Sequence, residues 1–248
     1  MRKSDKSALL HWIDVPAAFG LLTRIPLRLN TAKVTARGGS SAWAFPIVGV
    51  FIGLVAAAVT AAVHWIGLPP AVAAIFAVLV PVIITGAMHE DGLADSADGL
   101  WGGHDTARRL EIMKDSRIGA YGVLALIFGL GLRWLALSEL FESGAVLAPI
   151  LVAAALSRVA PTVLMLRLPQ ARTTGLSQSV GTPQARHVGL AAILGALLAI
   201  IALQSFPLLV FIATALATTC CVLIAKYKVQ GQTGDILGAS QQVAERSA

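Results

Sequence analysis

The sequence predicts an all-α fold: a polytopic membrane helix bundle of about six transmembrane helices, preceded by an N-terminal interfacial helix. Three observations predict it. Of 248 residues, 56% are hydrophobic and 13% charged, with a mean hydropathy of +0.78; soluble domains carry roughly twice that charge. Apolar runs near the length of a bilayer core recur at about 42–66, 71–88, 118–140, 145–166, 188–203 and 206–225. Basic residues then alternate between the segments that join these runs. The expected organisation is one integral-membrane domain over 1–248, carrying an acidic cytoplasmic loop at 89–118.

The elements follow in order. Arg2, Lys3 and Lys6 open the chain, and the apolar stretch 9–22 is interrupted by His11, Asp14 and Pro16. Without a small-residue cleavage pattern it reads as a helix lying along the interface, not as a removed signal peptide. Pro46, Gly49 and Gly53 in the first span suit close helix packing. The second span runs directly into the acidic segment, and 106–113 reads as a short helix. Arg133, towards the far end of the third span, is expected to snorkel. Arg158 lies roughly 12 Å inside the fourth span at helical rise, which favours a carboxylate or phosphate partner within the bundle. Residues 170–184 form a polar loop. The fifth span is short, with a tight break at 204–205 before the sixth. Cys220 and Cys221 are adjacent, so they cannot easily bridge each other, and inert burial is expected.

Charge placement gives an orientation. Of the 19 basic residues, 17 fall before the first span, after the second, after the fourth and after the sixth. Arg133 and Arg158 lie inside spans, and the intervening connectors have none. Strict alternation is the positive-inside pattern for six helices with both termini in the cytoplasm of a bacterial cell, spanning its inner membrane. The net charge of +6 is accounted for by orientation and anionic lipid, without nucleic acid.

The segment 89–100 concentrates the chemistry. His89, Glu90, Asp91, Asp95 and Asp98 follow an apolar helix directly. Asp91, Asp95 and Asp98 are spaced i, i+4, i+7 and share one face if the helix continues. Stacked like charges at a membrane boundary call for a hard divalent cation such as Mg²⁺, and such a site suits a phosphate-bearing substrate. Gly92, Gly99, Gly102, Gly103, Gly119 and Gly122 suggest backbone approaching a ligand closely. Glu90 falls on another face and reads as structural. His89 and His104 have no second histidine at metal-ligand spacing, so a general-base or hydrogen-bonding role is expected of them. Asp115 could cap the next helix or join the site.

Several of these runs carry a resemblance. Residues 89–100, followed by Leu110-Glu111-Ile112-Met113-Lys114-Asp115-Ser116-Arg117-Ile118-Gly119 and Tyr121-Gly122, resemble the signature of the cobalamin synthase (adenosylcobinamide-GDP ribazoletransferase) family. Leu22-Thr23-Arg24-Ile25-Pro26, Phe45-Pro46-Ile47-Val48-Gly49 and Thr233-Gly234-Asp235-Ile236-Leu237-Gly238-Ala239, with Glu245 beyond, resemble three further motifs in the family's order. Two positions depart from it: many relatives have an apolar residue at Glu90 and a second glycine at Gln232.

The resemblance implies that a hydroxyl of α-ribazole, or of its 5′-phosphate, attacks the phosphate next to the cobinamide arm of adenosylcobinamide-GDP. GMP leaves and the nucleotide loop of cobalamin closes. Asp91, Asp95 and Asp98, with Asp115, would hold Mg²⁺. Arg24, Arg109, Lys114, Arg117, Arg158 and Asp235 would contact substrate, and an aspartate or His89 would take the proton. The segment 172–184 is a candidate wall, and association with other corrinoid-assembly enzymes is compatible with this role. A CDP-alcohol phosphotransferase is the nearest enzyme alternative, but its Asp-x-x-Asp-Gly-x-x-Ala-Arg pattern is missing. A cation transporter would spread acids through several helices at mid-membrane, whereas here they cluster in one loop.

Overall fold

A computed structural model of the chain describes residues 9–203 and 207–248. The basic residues Arg2, Lys3 and Lys6 and the 204–205 break lie outside the described residues. All named elements among the described residues are helical. The interfacial segment contains α1 (Asp14–Leu22), followed by α2 (Thr31–Arg37) and a 3-10 turn. The spans are α3 (Phe45–Trp65), α4 (Pro70–Thr85), α7 (Ala120–Glu142), α8 (Leu147–Leu156) continued by α9 (Val159–Arg167), α11 (Ala185–Ala202) and α12 (Pro207–Lys228). Five of these are long and apolar enough to cross a membrane. The sixth, α4, has 16 residues and rises about 24 Å.

Small residues bring the spans together. A side chain at Gly49 would run into the backbone of Ala154 and Ala155, and one at Gly53 would press on Leu151. Both glycines therefore let α3 lie against α8, as the sequence suggested. On the opposite flank the indole of Trp134 donates to Ala71 O at 2.8 Å, tying α7 to the start of α4.

The interfacial segment hides an ion pair that charge counting had assigned to orientation. Asp14 is fully buried. Its carboxylate accepts from Arg37 Nε at 2.7 Å and Arg37 Nη2 at 2.7 Å, and from the Trp43 indole at 2.8 Å. This bidentate pair fastens α1 to the turn that enters α3.

Two shorter helices are packed among the spans without crossing them. After α4 the chain bends through 91° at Gly86 and Ala87, both with positive φ (67° and 60°), and starts α5 (Met88–Gly102). A short helix α6 (Thr106–Ile112) then leads to α7. After α12, α13 (Gly234–Ser247) folds back along α5. Gly92 and Gly238 allow the approach, since a side chain on Gly92 would meet Asp235 O and Gly238 Cα. The return of α13 corrects two expectations. Arg133 does not snorkel: it is 7% exposed and pairs with Glu245 at 2.8 Å. Arg246 is no tail charge, because it lies against Gly129 in the middle of α7. Spacing along the sequence could not show that a helix following the last span would re-enter the bundle.

Candidate active site

The acidic run does continue as a helix, but its three aspartates meet different surroundings. Asp91 is exposed, Asp95 half-buried and Asp98 buried. Asp98 Oδ2 accepts from Gly119 N at 2.7 Å and Oδ1 from Gly122 N at 2.9 Å. Its carboxylate thus caps α7 from 21 residues upstream and faces the positive end of that helix. A side chain on Gly119 or Gly122 would strike this carboxylate. Elsewhere in the motif, Gly99 and Gly103 accommodate the Arg109 backbone. These glycines, expected to admit a ligand, admit other parts of the chain.

Asp98 thus spends its carboxylate on α7, which sets it apart from Asp91 and Asp95. Among the described residues no three His, Cys, Asp or Glu side chains converge as a ready metal site. The open acidic face is instead Asp91, Asp95 and, from α13, Asp235. Burial first, then the charges of Asp91, Asp235 and Asp98, push the Asp95 carboxyl up to about 7, against the opposing pull of Arg172. Negative charge at this face is under-compensated within the chain.

Beside it opens a cavity of about 280 Å³, bordered by Met88, His89 and Asp91 of the α5 end, Asp235 of α13, and the loop from Gln170 to Val180. That loop includes the short helix α10 (Leu176–Val180) and supplies Arg172. The Arg172 guanidinium donates to Asp235 Oδ2 at 2.9 Å and to Leu110 O at 2.9 Å, while its buried Nε has no partner. Thr233 caps α13 through Ile236 N at 3.2 Å and also donates to Asp235 at 3.2 Å. An acidic rim, a guanidinium with a spare donor and a largely apolar wall suit an anionic ligand with an apolar portion.

Comparison with known proteins bears on what that ligand is. The family model described as cobalamin-5-phosphate synthase matches residues 14–248. The chain is 40% identical over 233 residues to an adenosylcobinamide-GDP ribazoletransferase of Bradyrhizobium diazoefficiens, covering 94% of this chain and 90% of the relative. It is 42% identical over 242 residues to a protein of the same name from Azorhizobium caulinodans, covering 94% and 92% respectively. The chain belongs to the cobalamin-5-phosphate synthase family. No solved structure matches it.

Within this member of the family, the other expected site residues separate by position. His89 and Asp235 border the cavity. Arg24 lies at the α4–α5 elbow: its backbone N–H donates to Ile84 O at 2.8 Å and its side chain covers Gly86. Arg109 is spent on three carbonyls, those of Gly103, His104 and Lys228, at 3.0, 3.1 and 2.9 Å. Asp115 pairs with Arg117 at 2.8 Å on the surface, and this hydrogen bond holds the Asp115 carboxyl down to about 2. Lys114 is exposed nearby. Arg158 is fully buried at the break between α8 and α9, where it donates to Ala154 O.

Sequence reasoning missed Arg172 as an individual, having counted it among the orientation charges. The signal available was its place at the start of a polar loop directly after a span, the segment named as a candidate wall. It also underrated Gln232, which is fully buried beneath that loop. Glu90, read as structural, is buried and accepts from Gln242 at 2.9 Å.

Proposed function

We propose that this chain transfers the cobinamide-phosphate moiety of adenosylcobinamide-GDP to α-ribazole or its 5′-phosphate. The products are adenosylcobalamin, or its phosphate, and GMP. A hydroxyl oxygen of the ribazole attacks the phosphorus next to the cobinamide arm, and the bond to the GMP oxygen breaks. Family membership over nearly the whole chain supports this reading. The observation that carries it in the structure is the cavity bordered by Asp91 and by the Arg172–Asp235 ion pair.

Phosphoryl transfer asks a protein mainly for positioning and charge neutralisation. Arg172 is placed to neutralise phosphate oxygens through its unpartnered Nε–H. His89 borders the inner wall. The remaining carboxylates suit a hard cation by donor type, and burial followed by the neighbouring aspartates raises Asp95. Asp91 and Asp95 would contribute ligands to Mg²⁺, which when bound would neutralise charge on the leaving phosphate. Asp98 is hydrogen-bonded to the start of α7. We further read the acidic end of the bundle as cytoplasmic, in a bacterial inner membrane, where the basic loops gather and the nucleotide substrate is found.

Membranes carrying the protein, given adenosylcobinamide-GDP, α-ribazole and Mg²⁺, should release GMP and form cobalamin, and EDTA should stop both. A purified protein that moves a cation across vesicles and never releases GMP would overturn the reading in favour of a transporter.

A further inference from the structure

The loop that presents Arg172 is fastened from beneath by one side chain. Gln232 is 0% exposed and divides its amide between the end of α9 and this loop. Its Nε2 donates to Leu168 O at 3.2 Å and Met165 O at 3.4 Å, and its Oε1 accepts from Ser177 Oγ at 3.3 Å. Its backbone makes a parallel bridge with Gln170, through Gln232 N to Pro169 O at 2.8 Å and Ala171 N to Gln232 O at 2.9 Å. Ser177 closes the ring: its hydroxyl also lies 2.9 Å from Gln170 Oε1, and its carbonyl accepts from Gln170 Nε2 at 3.2 Å. Gly231 completes the fit, since any side chain there would strike Pro169 O and Ala171 N.

Arg172 is the second residue beyond Gln170 and the fifth before Ser177, so the clamp grips the loop on both sides of it. The same turn continues through Thr233 into Asp235, the ion-pair partner of Arg172. One segment therefore fixes both halves of the Arg172–Asp235 pair. A guanidinium held in this way keeps two donors engaged and leaves Nε–H, buried and without a partner, for an anionic oxygen. Preorganisation of this kind lowers the ordering cost of binding a phosphate.

We propose that Arg172 is the phosphate-binding residue of the cavity and that Gln232, with Ser177, is the positioning residue that holds it there. The ligand class is a nucleoside diphosphate ester, an assignment that rests on the function proposed above.

The test uses the full chain in lipid nanodiscs, with GDP as the binding probe and trypsin as a probe of the loop. Arg172→Gln should weaken GDP binding at least about 10-fold, on the order of the loss of one charge-assisted hydrogen bond. Gln232→Gly should accelerate tryptic cleavage after Arg172 at least about 5-fold. It should also raise KM for adenosylcobinamide-GDP about 10-fold with a smaller change in kcat. Ser177→Ala removes one hydroxyl without opening the core, and should shift both readings in the same direction by less. Unchanged cleavage in Gln232→Gly and Ser177→Ala would overturn the clamp, and unchanged GDP affinity in Arg172→Gln would overturn the phosphate role. Failure of the function itself reads differently: the wild-type chain would release no GMP from the two substrates, whereas failure of this inference leaves wild-type turnover intact.

Discussion

Asp98→Asn separates the two roles that the acidic run can be given. If Asp98 were a metal ligand, the substitution would weaken the metal and leave the fold alone. The structure places its carboxylate on Gly119 N and Gly122 N, at 2.7 and 2.9 Å, where it is 8% exposed. Asparagine offers one carbonyl oxygen and turns an NH₂ group towards the other amide. One charge-assisted bond is lost, at about 1.5–3 kcal/mol. The favourable contact of a negative charge with the start of α7 goes with it, at about 0.3–1 kcal/mol. A loss of about 2–4 kcal/mol is expected, and Asp98→Ala should lose more. The assay is reversible unfolding in mixed detergent–SDS micelles, followed by far-UV circular dichroism, beside GMP release from the fraction that remains folded. Folded Asp98→Asn protein should keep its Mg²⁺ dependence within a few-fold, whereas Asp91→Asn and Asp95→Asn should lose about 100-fold in rate with no comparable loss of stability. The reasoning is refuted if Asp98→Asn unfolds like wild type but becomes inactive and recovers with excess Mg²⁺.

Three further outcomes are expected. Because the Asp95 carboxyl sits at about 7 in the folded chain against about 3.9 when unfolded, its contribution to stability is full below pH 4 and is lost as pH rises through about 7. In EDTA, the Tm of wild type should therefore fall over that window more steeply than that of Asp95→Asn; parallel curves would count against the crowded acidic face. Glu245→Gln leaves Arg133 buried and uncompensated and should cost about 3–5 kcal/mol, so a wild-type unfolding midpoint would contradict the return of α13 into the bundle. Reporter fusions after Gly103 and Arg172 should read from one side of the membrane and fusions after Pro70 and Gly144 from the other, and a shared side for Gly103 and Pro70 would rule out this order of spans.

The amino-acid sequence alone determined the spans, because burying a backbone in lipid requires runs of apolar residues long enough to cross it, and those runs can be counted. It also showed that Asp91, Asp95 and Asp98 would share one face if the helix continued, since their i, i+4, i+7 spacing is a local property. It marked Gly49 and Gly53 as a packing face for a similar reason. What those aspartates touch was decided by tertiary structure. Asp98 and Asp91 look alike in sequence, yet one meets the N-terminus of α7 and the other a cavity, because the α4–α5 elbow turns the helix across the bundle. Arg158 was legible as a buried cation in need of a partner, but the burial of Arg133 was not, because Glu245 reaches it only when α13 folds back. Arg172 and Gln232 are 60 residues apart in the chain, and no local pattern links them. The bonds of Gln232 to Ser177 and of Arg172 to Asp235, and with them the wall of the cavity, exist only where the loop after α9 crosses the turn before α13: hydrogen bonds between distant segments are satisfied by the packing of the whole bundle, not by spacing along the chain.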